Sequence, residues 1–122
     1  MISELKRLLS NSYSPYNPIC FSCIVEMKDG KTFSGVSVKN AIFRDGIYAE
    51  QIAIGRAITA GYKKGDFETI HIMVGTNNIS DLKYLDEFVI TGFFEPSKSV
   101  ILYTLDEERR VLKVGNLYNN IY

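Results

Sequence analysis

The sequence predicts an α/β domain in which one sheet carries helices on both faces. Apolar residues at helical spacing alternate along the chain with short strand-like runs, in the order α-β-β-α-β-α-β-β-α. An Asp29-Gly30 step sits between two of those runs, the pattern of a tight hairpin. The chain has 122 residues, 46% hydrophobic and 23% charged, which suits one globular domain over 1–122 and not a disordered segment.

The first element is a short helix with Ser3 as its N-cap and Leu5, Leu8 and Leu9 on one face. It ends in the polar stretch Ser10 to Pro18, where two prolines exclude regular structure. Residues 19 to 38 form the hairpin. Its first arm runs from Ile19 to Met27 and its turn is Lys28-Asp29-Gly30. In the second arm, Phe33, Val36 and Val38 alternate with Thr32, Ser34 and Ser37, and the break at Gly35 suggests a bulge. Asn40 to Gly46 is a loop.

A helix over Tyr48 to Thr59 follows, with Ala49, Ile52, Ala53, Ala57 and Ile58 at helical spacing and Gly61 as the C′ residue. Glu68 to Gly75 is a strand, with Ile70, Ile72 and Val74 on one face and His71 and Met73 on the other. Thr76-Asn77-Asn78 turns the chain, and Ser80 caps a helix through Leu82, Leu85, Phe88 and Val89. Val100 to Tyr103 is a strand, Asp106-Glu107-Glu108 a turn, and Val111 to Val114 the last strand. A terminal helix near Asn116 to Ile121 closes the order.

Composition excludes several function classes. Fourteen basic against fourteen acidic residues, with no Lys/Arg run, argue against a nucleic-acid surface built on counterion release, though not against recognition of one neutral nucleoside. No apolar run approaches the roughly 18 residues that span a bilayer. The N-terminus mixes Glu4, Lys6 and Arg7 into its leucines, so it reads as an amphipathic helix and not as a signal peptide. Two cysteines are too few for a disulfide scaffold, and the expected location is the cytoplasm.

Few residues invite chemistry. Cys20 and Cys23 form a C-x-x-C, but three residues apart on a strand they point to opposite faces, so they read as core residues and not as a zinc knuckle or redox pair. His71, the single histidine, reads as a hydrogen-bonded core or interface residue. Glu50 lies in the first turn of an apolar helix, where the helix dipole favours a carboxylate. The glycines form no phosphate-binding loop, and there is no G-x-S-x-G.

Taken together, the elements resemble the small cytidine deaminase family, blasticidin-S deaminases included. Ser12-Tyr13-Ser14-Pro15-Tyr16-Asn17 is similar to the family's A-Y-S-P-Y-S, and Lys28 to Val36 to its K-D-G-x-x-F-x-G-V hairpin. Val36-Ser37-Val38-Lys39-Asn40-Ala41 resembles V-N-V-E-N-A, and Tyr48-Ala49-Glu50-Gln51-Ile52-Ala53-Ile54 resembles C-A-E-R-T-A-I. Val100-Ile101-Leu102 with Leu105-Asp106 resembles the late V-I-L-x-x-L-D. The resemblance implies a three-layer α/β/α sandwich with a five-stranded mixed sheet. It also implies a homo-oligomer, dimer or tetramer, with Tyr13, Tyr16 and the 40–46 loop near a neighbouring subunit.

The departures from the family pattern concern its chemistry. The family's zinc is held by the Cys of C-A-E and two cysteines of a later P-C-x-x-C. The first position is Tyr48 here, and spacing places the other two at Asp81 and Tyr84; no cysteine follows Cys23. Phenols titrate near 10, and zinc prefers thiolate and imidazole. The expectation is therefore no zinc and no other cofactor, with Glu50 a vestigial proton-shuttle position. The Tyr48 ring is expected to fill part of the metal cavity, its hydroxyl against Glu50 or Asp81. The substrate positions are also altered: the ribose-binding Asn and Glu become Ser37 and Lys39, with Asn40 kept, the aromatic that packs on the base becomes Ile19, and the Arg after C-A-E becomes Gln51. The resulting expectation is a catalytically inactive relative that keeps nucleoside binding or a subunit-assembly role, the partner being its own copies or a related active subunit. The alternative is an active zinc hydrolase deaminating cytidine or a related base in pyrimidine salvage, its metal held by ligands outside the family pattern.

Overall fold

The structure is a computed structural model that describes residues 1–13, 19–38 and 46–119, the side chains of 83, 84, 118 and 119 excepted. Three helices, α1 (Ile2–Leu9), α2 (Ala49–Thr59) and α3 (Glu87–Phe93), accompany five strands, β1 (Phe21–Met27), β2 (Thr32–Val36), β3 (Phe67–Val74), β4 (Ser99–Tyr103) and β5 (Arg109–Lys113). The strands form one sheet in the order β2-β1-β3-β4-β5. Only the β3/β4 pair is parallel, because a helical crossover joins those two strands; the other three pairs are antiparallel.

The alternation of side chains along each strand makes two cores, and so three layers. Phe21, Cys23, Val25 and Met27 of β1 with Ile70, Ile72 and Val74 of β3 meet Ala49, Ala53, Ile54 and Ala57 of α2 and Ile90 of α3. Ile24, Met73 and Tyr103 on the other face meet Leu5 and Leu8 of α1. The expected split of β3 into an Ile70/Ile72/Val74 face and a His71/Met73 face is thus observed. Among the described residues no helix is long and apolar enough to cross a membrane.

Local chemistry corrects several boundaries. Helix α1 begins one residue before Ser3: the Leu5 amide donates to the Met1 carbonyl at 3.0 Å, and Ile2 packs against the core. The hairpin turn is as read, with Gly30 at φ +91° and the Asp29 carboxylate accepting the Lys31 amide at 3.0 Å. Gly35 is no bulge, since the β1/β2 register passes through it unbroken; the irregularity lies at Glu26/Met27 against β3. Gly35 instead lets α2 approach, because a Cβ there would stand 2.4 Å from the Ala49 carbonyl oxygen.

The helix expected from Ser80 is two elements. A 3₁₀ helix over Ile79–Tyr84 is capped by Asn78, whose side chain accepts the Ser80 amide at 3.1 Å. Leu85 is then extended, and Asp86 caps α3 by accepting the Val89 amide at 3.2 Å. The last strand starts at Arg109 and not near Val111. The terminal helix is a 3₁₀ helix over Val114–Asn119, and the end expected at Ile121 lies outside the described residues.

Candidate functional site

Two helix N-termini meet over the sheet, and the sequence dictates how. Tyr48 is the extended N-cap of α2, with φ −78° and ψ 145°. Its amide donates to Gln51 Oε1 at 3.2 Å, a reach-back from the third helical residue. Gln51 Nε2 donates to Asp86 Oδ2 at 2.7 Å. The other oxygen of Asp86 is spent on the Val89 amide, and the Asp86 amide donates to Glu50 Oε2 at 2.9 Å. Glu50 and Gln51 therefore clasp the first turn of α3 from two sides through one residue, Asp86.

Glu50 is 1% exposed, an acid carboxylate almost wholly removed from water. It faces β1 as well: burial pushes the Cys23 thiol well above its ordinary range, and the nearby Glu50 charge pushes the same way. Cys23 is thus an inert core thiol, and Cys20, half-buried just before β1, is not joined to it by a disulfide. Tyr48 is half-buried and, with Leu85, Asp86, Glu87 and Phe88, lines a shallow recess of about 400 Å³. A larger recess, about 630 Å³, lies at the far end of α2 between Asp29, Lys31, Phe33 and Tyr62, away from these groups.

The structure brings together Tyr48, Glu50 and Gln51 at the start of α2 and sets Asp81 in the 3₁₀ helix. The Asp81 carboxylate accepts the Thr76 hydroxyl at 2.7 Å within its own turn. Asp86, absent from the sequence reading, occupies the place facing Glu50. Its signal was present: an Asp ahead of the apolar run Val89, Ile90, Phe93, Phe94 is an N-cap pattern. Tyr84 ends the 3₁₀ helix, and its side chain lies outside the described residues. Of the substrate positions, Ile19 is half-buried against the main core. Ser37 is fully buried and committed: its hydroxyl oxygen accepts the Phe21 amide at 2.9 Å and shares a 2.8 Å hydrogen bond with Ser12. Lys39, Asn40, Tyr16 and nearly all of the 40–46 loop lie outside the described residues. Tyr13 is 55% exposed and bridges Val38.

The donor set does not suit zinc. Two carboxylates, an amide and a phenol surround the helix ends, and the carboxylates already accept hydrogen bonds from backbone and Gln51. Among the described residues no three His, Cys, Asp or Glu side chains come together as a metal-binding group. What the arrangement does is hold two helix starts at a fixed distance.

No family model matches the chain. The cytidine deaminase of Mycoplasma genitalium is 27% identical over 81 residues, which is 66% of this chain and 60% of that protein. The match therefore spans less than two thirds of that relative's length. Among solved structures, the cytidine deaminase from Burkholderia pseudomallei superposes with a TM-score of 0.79 at 27% identity, covering 95% of this chain and 91% of that one. The Mycobacterium leprae enzyme gives 0.69 at 18% identity with 97% of each chain covered, which bears on the fold. By sequence and by fold, this chain is a homologue of the cytidine deaminases.

Proposed function

We propose that this protein is a cytidine deaminase homologue without a zinc centre and without deaminase activity, and that its work is nucleoside binding or subunit assembly. The observation that carries this reading is the clasp of Glu50, Gln51 and Asp86. Groups that a metal site would leave open toward its ion are tied to one another and to the α3 backbone.

Zinc lowers the pKa of bound water from about 15.7 to about 7, a difference of roughly nine units. At about 1.36 kcal/mol per unit, its loss removes up to ~12 kcal/mol of help in making the nucleophile. Glu50 moves protons in such a reaction but cannot make hydroxide. Neither Ser37 nor Gln51 replaces the ion, because each is already committed to a structural hydrogen bond.

The protein assembles as a homo-oligomer of closed symmetry, which adds buried apolar surface to a 122-residue chain. It works in the cytoplasm, a reading in keeping with two cysteines that form no disulfide. Ammonia release from cytidine tests the reading. The wild type and Glu50→Gln should be indistinguishable from the enzyme-free background. Release by the wild type that Glu50→Gln abolishes would make the protein an enzyme and overturn the proposal. Light scattering tests assembly: a mass of one 13.8 kDa chain at every dilution would refute a stable homo-oligomer.

A further inference from the structure

The face of the sheet opposite the helix-end clasp holds a second set of titratable groups. His71 on β3 is 6% exposed and lies between two partners on different strands. Its Nε2 is 2.5 Å from Glu26 Oε1 on β1, and its Nδ1 is 3.1 Å from the Tyr103 hydroxyl on β4. Glu26 is the one member open to water, with 37% of its side chain exposed.

With the imidazole neutral, its two partners assign the single ring hydrogen. An ionised carboxylate only accepts, so Nε2 carries hydrogen and donates to Glu26. Nδ1 is then bare and accepts the Tyr103 O–H. Tyr103 belongs to the same buried cluster as Leu5 and Leu8, by which α1 sits on the sheet. Helix α1 is otherwise tied down by the Ser22 hydroxyl donating to the Leu5 carbonyl at 2.8 Å and by Lys6 paired with Glu107 at 2.8 Å.

We propose that the Glu26–His71–Tyr103 relay is an acid-sensitive latch for helix α1. When His71 takes a second proton, Nδ1 becomes a donor and points its hydrogen at the Tyr103 oxygen. The tyrosine's own hydrogen then loses its acceptor in the relay. A buried donor without a partner is costly, so the cluster under α1 loosens. Among the described residues, the charged groups acting on the ring are Glu26 from β1, the ammonium of Met1 at the N-cap of α1 and Arg109 from β5. Glu26 favours the imidazolium, whereas the Met1 ammonium and Arg109 repel it. Burial is the largest influence and opposes the charge, so the ring stays neutral below its ordinary pKa of 6.5.

The lone histidine makes the test clean. The His71 ring resonance and the methyl resonances of Leu5 and Leu8 are followed by NMR between pH 7.5 and 4.5. The latch predicts that both move with one shared midpoint, below 6.5. Glu26→Gln removes the charge favouring the imidazolium and should carry both midpoints down together, and His71→Gln should leave the leucine signals flat. Leucine methyls that stay still while His71 titrates, or that move with a different midpoint, would overturn the proposal. So would a leucine transition that persists in His71→Gln. Should either variant fail to fold, the coincidence of midpoints in the wild type decides alone.

Discussion

Gly35→Ala is a demanding test of how α2 is seated, and α2 sets where Glu50 meets Asp86. A Cβ at residue 35 would stand 2.4 Å from the Ala49 carbonyl oxygen, 2.8 Å from the Ala53 nitrogen and 3.0 Å from the Ile52 Cβ. Two of these three are backbone atoms of α2, so no side chain can turn aside; the helix itself must move out by about 1 Å to reach ordinary contact. Overpacking costs about 1–3 kcal/mol, and a backbone clash belongs at about 3. The substitution also narrows the unfolded ensemble, which returns about 0.5–1 kcal/mol. The net expectation is a loss of about 2 kcal/mol, or roughly 8 °C in Tm for a chain of this size. Gly55 is the control, exposed on the same helix with nothing within 4 Å of its virtual Cβ. Gly55→Ala should raise stability by about 0.5–1 kcal/mol. Urea unfolding of the three proteins gives the numbers. Equal stability of Gly35→Ala and wild type would refute the close approach.

Asp86→Ala removes the cap on Val89 and the acceptor for Gln51, so stability should fall by about 2 kcal/mol in urea, while Asp86→Asn, an equally good cap, should lose less than half as much. Burial holds the Cys23 thiol unreactive, so a thiol reagent at pH 8 should label at most one cysteine per native chain and two after unfolding; two fast thiols in the native state would contradict the packing. The folded pKa of His71 lies below the unfolded value of 6.5, so the unfolded chain binds the proton first as the medium acidifies. Its contribution is complete above pH 6.5 and is lost as pH falls toward the folded pKa. His71→Gln should flatten that part of the urea-midpoint profile, and an unchanged slope would contradict the assignment.

What the sequence revealed and what it concealed divide along local and non-local causes. Helix α2 was legible because its apolar spacing is local and Gly61, at φ +102°, ends it in the expected left-handed turn. The two faces of β3 were legible because period two needs no partner to be read. The split after Tyr84 was missed because Asn78 and Ser80 offered an earlier start, although Asp86 carried the stronger cap. The role of Gly35 was unreadable because it depends on a helix that packs across the sheet. The same holds for His71, whose partners stand 45 and 32 residues away in the chain. In the candidate site, Tyr48 and Glu50 came from motif likeness, but Asp86 required the geometry of two helix ends brought together by the sheet.

The proposal that no zinc is bound rests on the hydrogen bonds that tie Glu50, Gln51 and Asp86 to one another. Elemental analysis of the purified protein after dialysis against a chelator tests it most directly, because a structural or catalytic zinc ion is bound tightly enough to survive that treatment. The expected result is far less than one zinc per chain, with urea stability unchanged by the chelator. About one zinc per chain, retained through dialysis, would contradict it.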